Sequence, residues 1–214
     1  MTFLVIANFK SNKLEKDIID WIAAVAPRPE MVVAPSSLHL HLFPPHFTLA
    51  AQDVSPFPMG SYTGAVNARQ LSELGVKYCL VGHSERRRYF HETCADVAQK
   101  VRELLTVSIT PIICMDHGDI APQFAALDAD SLDQCIYCFE PSEDIGGTTI
   151  ADPKMILDIK SKVAQFVPSA RFMYGGSVTA QNLDSLLNIG LSGVLVATAS
   201  LDPLSFNSLL AKIS

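Results

Sequence analysis

The sequence predicts a single closed (β/α)8 barrel, and three observations support this prediction. Eight short apolar runs rich in strand-forming residues recur along the 214 residues. Segments with helical spacing of apolar residues separate most of these runs, which is typical of βα units around a parallel sheet. Eight such units fit a closed barrel better than an open doubly wound sheet. We therefore expect one domain spanning residues 1–214, which is long enough to bury a large core.

The predicted elements alternate along the chain. The strands are Phe3–Ala7, Met31–Ala34, Thr48–Ala51, Val76–Val81, Ile109–Cys114, Gln134–Phe139, Arg171–Tyr174 and Gly193–Val196. The helices are Leu14–Ala26, Asn67–Leu74, His91–Leu105, Asp152–Phe166, Thr179–Asn188 and Pro203–Ile213. An aspartate followed by proline, at Asp152-Pro153 and at Asp202-Pro203, is a helix-starting signal. The fifth unit, Met115–Ser131, contains a glycine and a proline, and this predicts a shortened helix.

Composition and charge exclude several classes of protein. Hydrophobic residues make up 49% of the chain and charged residues 18%, which is typical of a globular protein and not of a disordered one. Because no apolar run approaches the roughly 18 residues that a membrane span needs, no membrane association is expected. A net charge of −6 without a basic stripe argues against a nucleic-acid partner. The N-terminus does not resemble a signal peptide, and five scattered cysteines suit the reducing cytoplasm.

Two clusters of potential metal ligands are not predicted to bind metal. His39, His41 and His46 lie close in sequence, but no carboxylate or cysteine flanks them and two prolines interrupt the segment. Cys135 and Cys138 are three positions apart in an apolar strand, so strand alternation places their side chains on opposite faces. Buried thiols are therefore the favoured interpretation of this pair.

Polar side chains follow several predicted strands at the point where each strand ends. Asn8 and Lys10 follow the first strand, and His83 follows the fourth. Glu140 follows the sixth strand, and the loop Gly175-Gly176-Ser177 follows the seventh. Barrel enzymes carry their chemistry where the carboxyl ends of the strands meet on one rim. We therefore expect these groups to share one site.

The residues after His83 favour the start of a helix. Ser84 and Glu85 suit the first turn of a short helix, whose free N–H groups would point back at the imidazole. A histidine in this position is discouraged from carrying a proton and can act as a neutral hydrogen-bond donor. For His83 considered alone, a purely structural role is the alternative.

The other rim residues also have two interpretations each. A carboxylate at a partly apolar strand end, such as Glu140, is a candidate general base, and a surface glutamate before a turn is the alternative. Lys10 is either the cation of the site or a solvated lysine, and Asn8 is either a ligand-binding amide or a turn former. The Gly175–Ser177 loop is typical of a backbone anion nest, although two-glycine turns are common.

Five short motifs, taken together and in order, resemble those of the triosephosphate isomerase family. They are Asn8-x-Lys10, Gly82–Arg87, Glu140-Pro141, Ile145-Gly146 and Tyr174–Val178. The resemblance covers nearly the whole chain and implies the fold of that family, the TIM barrel. It also implies the family's reaction in glycolysis and gluconeogenesis, the interconversion of dihydroxyacetone phosphate and glyceraldehyde 3-phosphate, which uses no cofactor and no metal.

The resemblance assigns a role to each catalytic motif. Glu140 would move the proton between the two substrate carbons, while a neutral His83 would polarise the carbonyl group. Lys10, assisted by Asn8, would stabilise the negative charge of the enediolate. Ser84 and Glu85 would support these catalytic residues without contacting the substrate. Glu85 would do so by holding Lys10.

The resemblance assigns the substrate phosphate to backbone N–H groups of three loops. These groups belong to Gly146, Ser177, Ala197 and Thr198. The loop from Pro141 to Thr149 would close over the substrate and exclude water. Segment 52–66 resembles the family's long third loop, which reaches into a neighbouring subunit, and its apolar tip implies an isologous homodimer.

The chain departs from the family pattern at three places. Ala197-Thr198 stands where the family usually has a glycine pair, and the extra Cβ atoms would crowd the phosphate and raise KM with less effect on kcat. Replacing both residues by glycine would then lower KM. Ser142–Asp144 introduces two acids where many members have an apolar residue and a tryptophan. Cys114–His117 replaces the usual Cys-x-Gly-Glu in the shortened fifth unit, away from the proposed chemical groups.

Two other functions are alternatives to the isomerase. Another phosphate-binding barrel isomerase would need different catalytic groups at the strand ends, and the four residue types found there argue against it. A catalytically weakened barrel that acts as a phosphate-binding or structural module is the alternative from another class. The altered lid and eighth loop are the features that favour this alternative.

Overall fold

Eight parallel strands surround the centre of the molecule in the computed structural model, which describes residues 3–141 and 149–213. The strands are β1 (Leu4–Asn8), β2 (Met31–Ala34), β3 (Ala50–Ala51), β4 (Tyr78–Val81), β5 (Thr110–Met115), β6 (Ile136–Phe139), β7 (Arg171–Tyr174) and β8 (Gly193–Val196). They form one sheet in the order β2-β1-β8-β7-β6-β5-β4-β3. A parallel bridge between Val33 and Leu49 brings β2 beside β3, so that the barrel is nearly closed. The predicted (β/α)8 architecture is confirmed.

Helices cover the outside of the barrel in the described part of the chain. The α-helices are α1 (Glu15–Ala24), α2 (Ala68–Glu73), α3 (Ser84–Phe90), α4 (Cys94–Leu105), α5 (Ile120–Ala126), α6 (Pro153–Phe166), α7 (Leu183–Leu187), α8 (Thr198–Leu201) and α9 (Pro203–Leu210). Short 3-10 helices occupy Ser37–Leu42 and Ala129–Gln134. The side chains of Asp152 and Asp202 cap α6 and α9, as the Asp-Pro pairs predict.

The fifth unit is shortened as predicted, and the second unit is shortened as well. Helix α5 has only 7 residues, with Pro122 inside it. Between β2 and β3 the described chain forms the 3-10 helix Ser37–Leu42 and no α-helix. Pro44 and Pro45 follow one residue after this helix and cannot continue it, because proline lacks the backbone donor and clashes with the preceding turn. At least two of the βα units are therefore shortened, and both contribute to the short length of the chain.

The core has two layers, because side chains alternate across each strand. Inside the barrel lies a small cluster made of Ile6, Val32, Ala34, Ala50, Leu80, Ile112, Cys114, Ile136, Cys138, Met173 and Leu195. A larger layer between strands and helices includes Trp21, whose ring meets Phe9 edge-on with centroids 5.0 Å apart. The indole Nε1 of Trp21 donates to the carbonyl oxygen of Ser200 at 2.9 Å and thereby joins α1 to α8.

The cysteine pair is divided between these layers. Cys138 lies inside the barrel and Cys135 lies in the outer layer, which confirms the prediction of opposite faces. All five cysteines of the chain are free thiols. No helix among the described residues has the length and apolar character needed to cross a membrane.

Candidate active site

One cavity of about 910 Å³ opens at the carboxyl ends of the strands and collects most of the predicted site residues. Its walls include Asn8, Lys10, Ser84, Glu85, Glu140, Ser177, Ala197 and Thr198. His83 reaches the same place through Glu140, because its Nε2 lies 3.3 Å from Glu140 Oε1. Gly146 lies outside the described residues, as does most of the predicted lid. The structure thus brings together every predicted site residue that it describes.

His83 is held as the N-cap of α3, at the junction with β4. Its Nδ1 accepts a hydrogen bond from the backbone N–H of Glu85 at 3.2 Å, so Nδ1 carries no proton in this arrangement. His83 is 5% exposed, and because Nδ1 accepts this hydrogen bond, Nε2 is the nitrogen that bears hydrogen and faces Glu140. This is the tautomer of a neutral hydrogen-bond donor directed into the site.

The charge environment of His83 contains opposing influences. Burial disfavours the imidazolium and lowers the pKa of His83, but the Glu140 carboxylate and its hydrogen bond raise it. The balance in the absence of substrate is a pKa above the usual value, whereas the helix start alone predicts suppression of the charge. The backbone contact at Nδ1 still requires the neutral ring, so protonation of His83 competes with the capping of α3.

Lys10 adopts a strained backbone conformation that points its side chain into the cavity. Its φ of 48° lies in the left-handed region, which is rare for a residue with a side chain. The Asn8 side chain accepts from Lys10 N at 3.0 Å, and Gln52 donates to the Lys10 carbonyl oxygen at 2.9 Å. The Lys10 ammonium contacts Glu85 Oε1 at 2.6 Å. The predicted contact between Lys10 and Glu85 is therefore present.

Glu140 stands at the end of β6 and is almost completely buried, with 3% of its surface exposed. Its Oε1 faces His83, and its Oε2 is buried without a hydrogen-bond partner among the residues that the structure describes. Gly175 provides the space for this carboxylate, because a Cβ atom there would lie 2.9 Å from Glu140 Cγ and 3.1 Å from Oε1. A buried carboxylate oxygen with spare capacity can accept a proton from a ligand in the cavity.

The opposite wall of the cavity presents backbone turns to an anion. Ser177 has a φ of 46°, and Asn182 fixes its turn by donating to the Ser177 carbonyl oxygen at 2.9 Å. Ala197 precedes α8, and its carbonyl oxygen accepts from the backbone N–H and the hydroxyl of Ser200. Thr198 is the first residue of α8. N–H groups at such turns and helix starts suit an anionic group.

Comparison with known proteins decides the family of this chain. The family model described as triosephosphate isomerase matches residues 3–213. The chain belongs to the triosephosphate isomerase family. It is 37% identical to the triosephosphate isomerase of Thermus thermophilus over 185 aligned positions, which cover 75% of this chain and 74% of that relative.

Other relatives align over almost the full length of the chain. The triosephosphate isomerase of Mesomycoplasma hyorhinis is 30% identical over 237 aligned positions, which cover 97% of each chain. That of Polynucleobacter asymbioticus is 32% identical, with 95% of this chain and 96% of the relative covered. The family resemblance seen in the motifs is therefore confirmed across the barrel.

A buried ionic network behind the site was not identified from the sequence. Lys100 is 3% exposed, and its ammonium contacts both Asp53 Oδ1 and Glu92 Oε2 at 2.7 Å. Arg86 contacts the same two carboxyl groups, at 2.8 Å and 2.7 Å. Glu92 Oε1 accepts from the backbone N–H of Gly82, the residue before His83. The network therefore fixes the turn that presents the imidazole.

A second cavity of about 780 Å³ lies beside the first, between the rim and segment 52–66. Lys10 and His83 form one side of it, and Phe57 and Tyr62 of that segment form the other. The Phe57 and Tyr62 rings are stacked, with centroids 4.6 Å apart, and each is more than two-fifths exposed. Over residues 3–141 and 149–213 there is no group of three or more ligand-type side chains that could hold a metal ion.

Proposed function

We propose that this chain interconverts dihydroxyacetone phosphate and glyceraldehyde 3-phosphate by proton transfer through an enediolate. The observation that carries the proposal is the convergence of a carboxylate, an imidazole and an ammonium group on one cavity. Glu140 Oε1 lies 3.3 Å from His83 Nε2, and Lys10 lines the same cavity as Glu140. The family match over residues 3–213 supports the same reaction as this geometry.

In this mechanism the proton leaves one carbon and returns to its neighbour. Glu140 takes a proton from the carbon beside the carbonyl group, while the Nε2–H of His83 donates a hydrogen bond to the carbonyl oxygen. Lys10 stabilises the negative charge that develops on the enediolate, with the Asn8 amide beside it. Glu140 then delivers its proton to the adjacent carbon, while the hydroxyl proton passes through His83 Nε2 from the oxygen of the first carbon to the former carbonyl oxygen, which completes the isomerisation. This division of labour is the established one for the family.

The substrate phosphate is assigned to the wall formed by Ser177, Ala197 and Thr198. Backbone N–H groups at this wall are suited to an anion, and the three residues line the cavity that contains Glu140. Gly146 completes the set in this proposal, although it lies outside the described residues. Residues 1–214 act as one catalytic domain that needs neither cofactor nor metal.

A coupled isomerase assay on the natural protein and on Glu140→Gln tests the proposal. The variant keeps the size of the side chain but cannot act as a base, so turnover should fall by roughly 10²–10⁴-fold. Ser185→Ala is a suitable control, because its exposed hydroxyl donates a hydrogen bond to the carbonyl oxygen of Asn182, at the start of its own helix. Equal turnover in the natural protein and Glu140→Gln would remove Glu140 from the mechanism. Absence of turnover in the natural protein would favour the non-catalytic alternative.

We also propose that the protein is a homodimer assembled through segment 52–66. The exposed side chains of Phe57, Met59 and Tyr62 support this, since water contact with three large side chains on one loop is unfavourable. The second cavity is open beside the same loop, so a twofold arrangement places each loop tip in the cavity of the other subunit.

A cytoplasmic location is proposed from the five free thiols.

A further inference from the structure

Three arginines follow Glu85 in the sequence, and the structure treats the third differently from the first two. Arg86 contacts Asp53 and Glu92, as described above. Arg87 donates to the Gly82 carbonyl oxygen at 2.8 Å and to Gln123 Oε1 at 2.8 Å. Arg88 is exposed and forms no ion pair with any residue in the described ranges.

Arg88 lies on the wall of the active-site cavity together with Tyr89. Its guanidinium carbon is 5.2 Å from the centroid of the Tyr89 ring, which is within the range of a cation–π contact. Tyr89 is itself 62% exposed and lines the same cavity. The contact with the ring therefore places the exposed cation at the mouth of the site.

Arg88 changes the net charge of the cavity wall. The charged residues on the described wall are two cations and two acids, namely Lys10, Arg88, Glu85 and Glu140. Lys10 forms an ion pair with Glu85 at 2.6 Å. Without Arg88 the wall would carry a net charge of −1, in a protein whose net charge is −6. A phosphate with a charge between about −1.5 and −2 at neutral pH would then meet an unfavourable potential.

We propose that Arg88 is a substrate-attracting residue, which supplies a positive charge that draws the substrate phosphate to the mouth of the cavity. This inference rests on the proposed function and extends it, because it explains how an acidic protein accepts an anionic substrate. Arg88 acts through its charge and not through a fixed hydrogen bond, since its only described contact is with the Tyr89 ring. The chemical step is carried out by other residues, so the effect belongs to substrate capture.

The test compares Arg88→Gln, Arg88→Lys and a control variant by steady-state kinetics at two salt concentrations. Lys77→Gln is a suitable control, because it removes one exposed positive charge just before β4, at the opposite end of the barrel. At about 0.01 M ionic strength, where screening is weak, Arg88→Gln should lower kcat/KM about 3- to 10-fold through KM. The deficit should shrink to less than about twofold near 1 M salt. Arg88→Lys should remain close to the natural protein.

Three results would overturn the inference. They are a change in kcat/KM of Arg88→Gln no larger than that of Lys77→Gln, a loss of kcat/KM that does not depend on salt, and an Arg88→Lys variant as impaired as Arg88→Gln.

Titration calorimetry with inorganic phosphate provides a readout that does not need turnover, and phosphate should bind Arg88→Gln more weakly than the natural protein at low salt. If the natural protein has no isomerase activity, the proposed function fails. Equal phosphate binding by the natural protein and Arg88→Gln would instead show that Arg88 is not the attracting charge.

Discussion

Gly175 shows how a residue without a side chain can control the position of a catalytic group. A Cβ atom at this position would approach Glu140 Cγ to 2.9 Å, which is closer than real Cβ contacts allow. We expect Gly175→Ala to displace the carboxylate and to lower kcat by about 10²-fold, because misplacement of about 1 Å can cost that much. Steady-state kinetics would measure the loss. Gly118→Ala is the matched control, since no heavy atom of the described residues, apart from its own chain neighbours, lies within 4 Å of its Cβ position.

The pairing of His83 with Glu140 predicts a specific pH dependence. Because the Glu140 carboxylate raises the pKa of His83 against the effect of burial, the imidazolium persists to higher pH than in a free histidine. The neutral ring that the mechanism needs is therefore lost as pH falls through this raised pKa, and kcat/KM should fall on the acid side. In Glu140→Gln the pKa of His83 should decrease, as measured by NMR titration of the ring nitrogens. A pKa that stays the same or rises would contradict the pairing.

At the scale of elements, the buried ammonium group of Lys100 joins α4 to segment 52–66 through Asp53 and to the turn between α3 and α4 through Glu92. Burial raises the pKa of Glu92, but Lys100 and Arg86 lower it by more, so the network holds Glu92 in its charged form. Lys100→Met would leave the carboxylates of Asp53 and Glu92 with only Arg86. The free energy of unfolding should fall by about 3–5 kcal/mol, the usual cost of breaking a buried pair on one side.

Chemical denaturation would measure this loss at neutral pH, where Glu92 is held in its charged form. Lys77→Met is the control, because an exposed lysine without a described partner should change stability by less than about 0.5 kcal/mol. Since the pKa of Glu92 is lowered in the folded state, its contribution is present above the pKa of the unfolded chain and disappears as pH falls. The difference between Lys100→Met and the natural protein should therefore be smaller in acid.

The elements that could be predicted are those whose pattern is local. Arg171–Tyr174 and Gly193–Val196 are strands at the predicted bounds, because a buried strand is a short apolar run between turn residues. The run Thr48–Ala51 yields only the two-residue strand Ala50–Ala51, since Leu49 makes an isolated bridge to β2. Helix α8 was missed because its four residues are too few to show a helical period.

At the scale of the molecule, the site residues could be found because they follow strands, and all strands point the same way. Their supporting contacts could not be found in this manner. Gln52 holds the backbone of Lys10 from 42 positions away, and Lys100 reaches Asp53 across 47 positions. No local pattern encodes such pairings, and they become visible only when the barrel brings the segments together. The difference between Arg88 and its two arginine neighbours is also invisible in the sequence. It lies in their ion pairs, because Arg88 has none with the described residues.

Assembly of the whole molecule is tested through the tip of segment 52–66. Met59 is 66% exposed, so Met59→Asp should leave the folded subunit intact while placing a charge in the proposed interface. The natural protein should sediment near 46 kDa, twice the 23.2 kDa of one chain, and the variant near 23.2 kDa. Met155→Asp on α6 is the matched control and should remain dimeric, because it lies outside the segment.

The same variant connects assembly to catalysis. Lys10 and His83 line the cavity that a partner loop would fill, so its loss should expose both residues to water and lower kcat/KM. Raising the protein concentration should restore both the mass and the activity of Met59→Asp in parallel, since association depends on concentration. A natural protein that sediments as a monomer at micromolar concentration and is fully active would show that the loop serves another purpose.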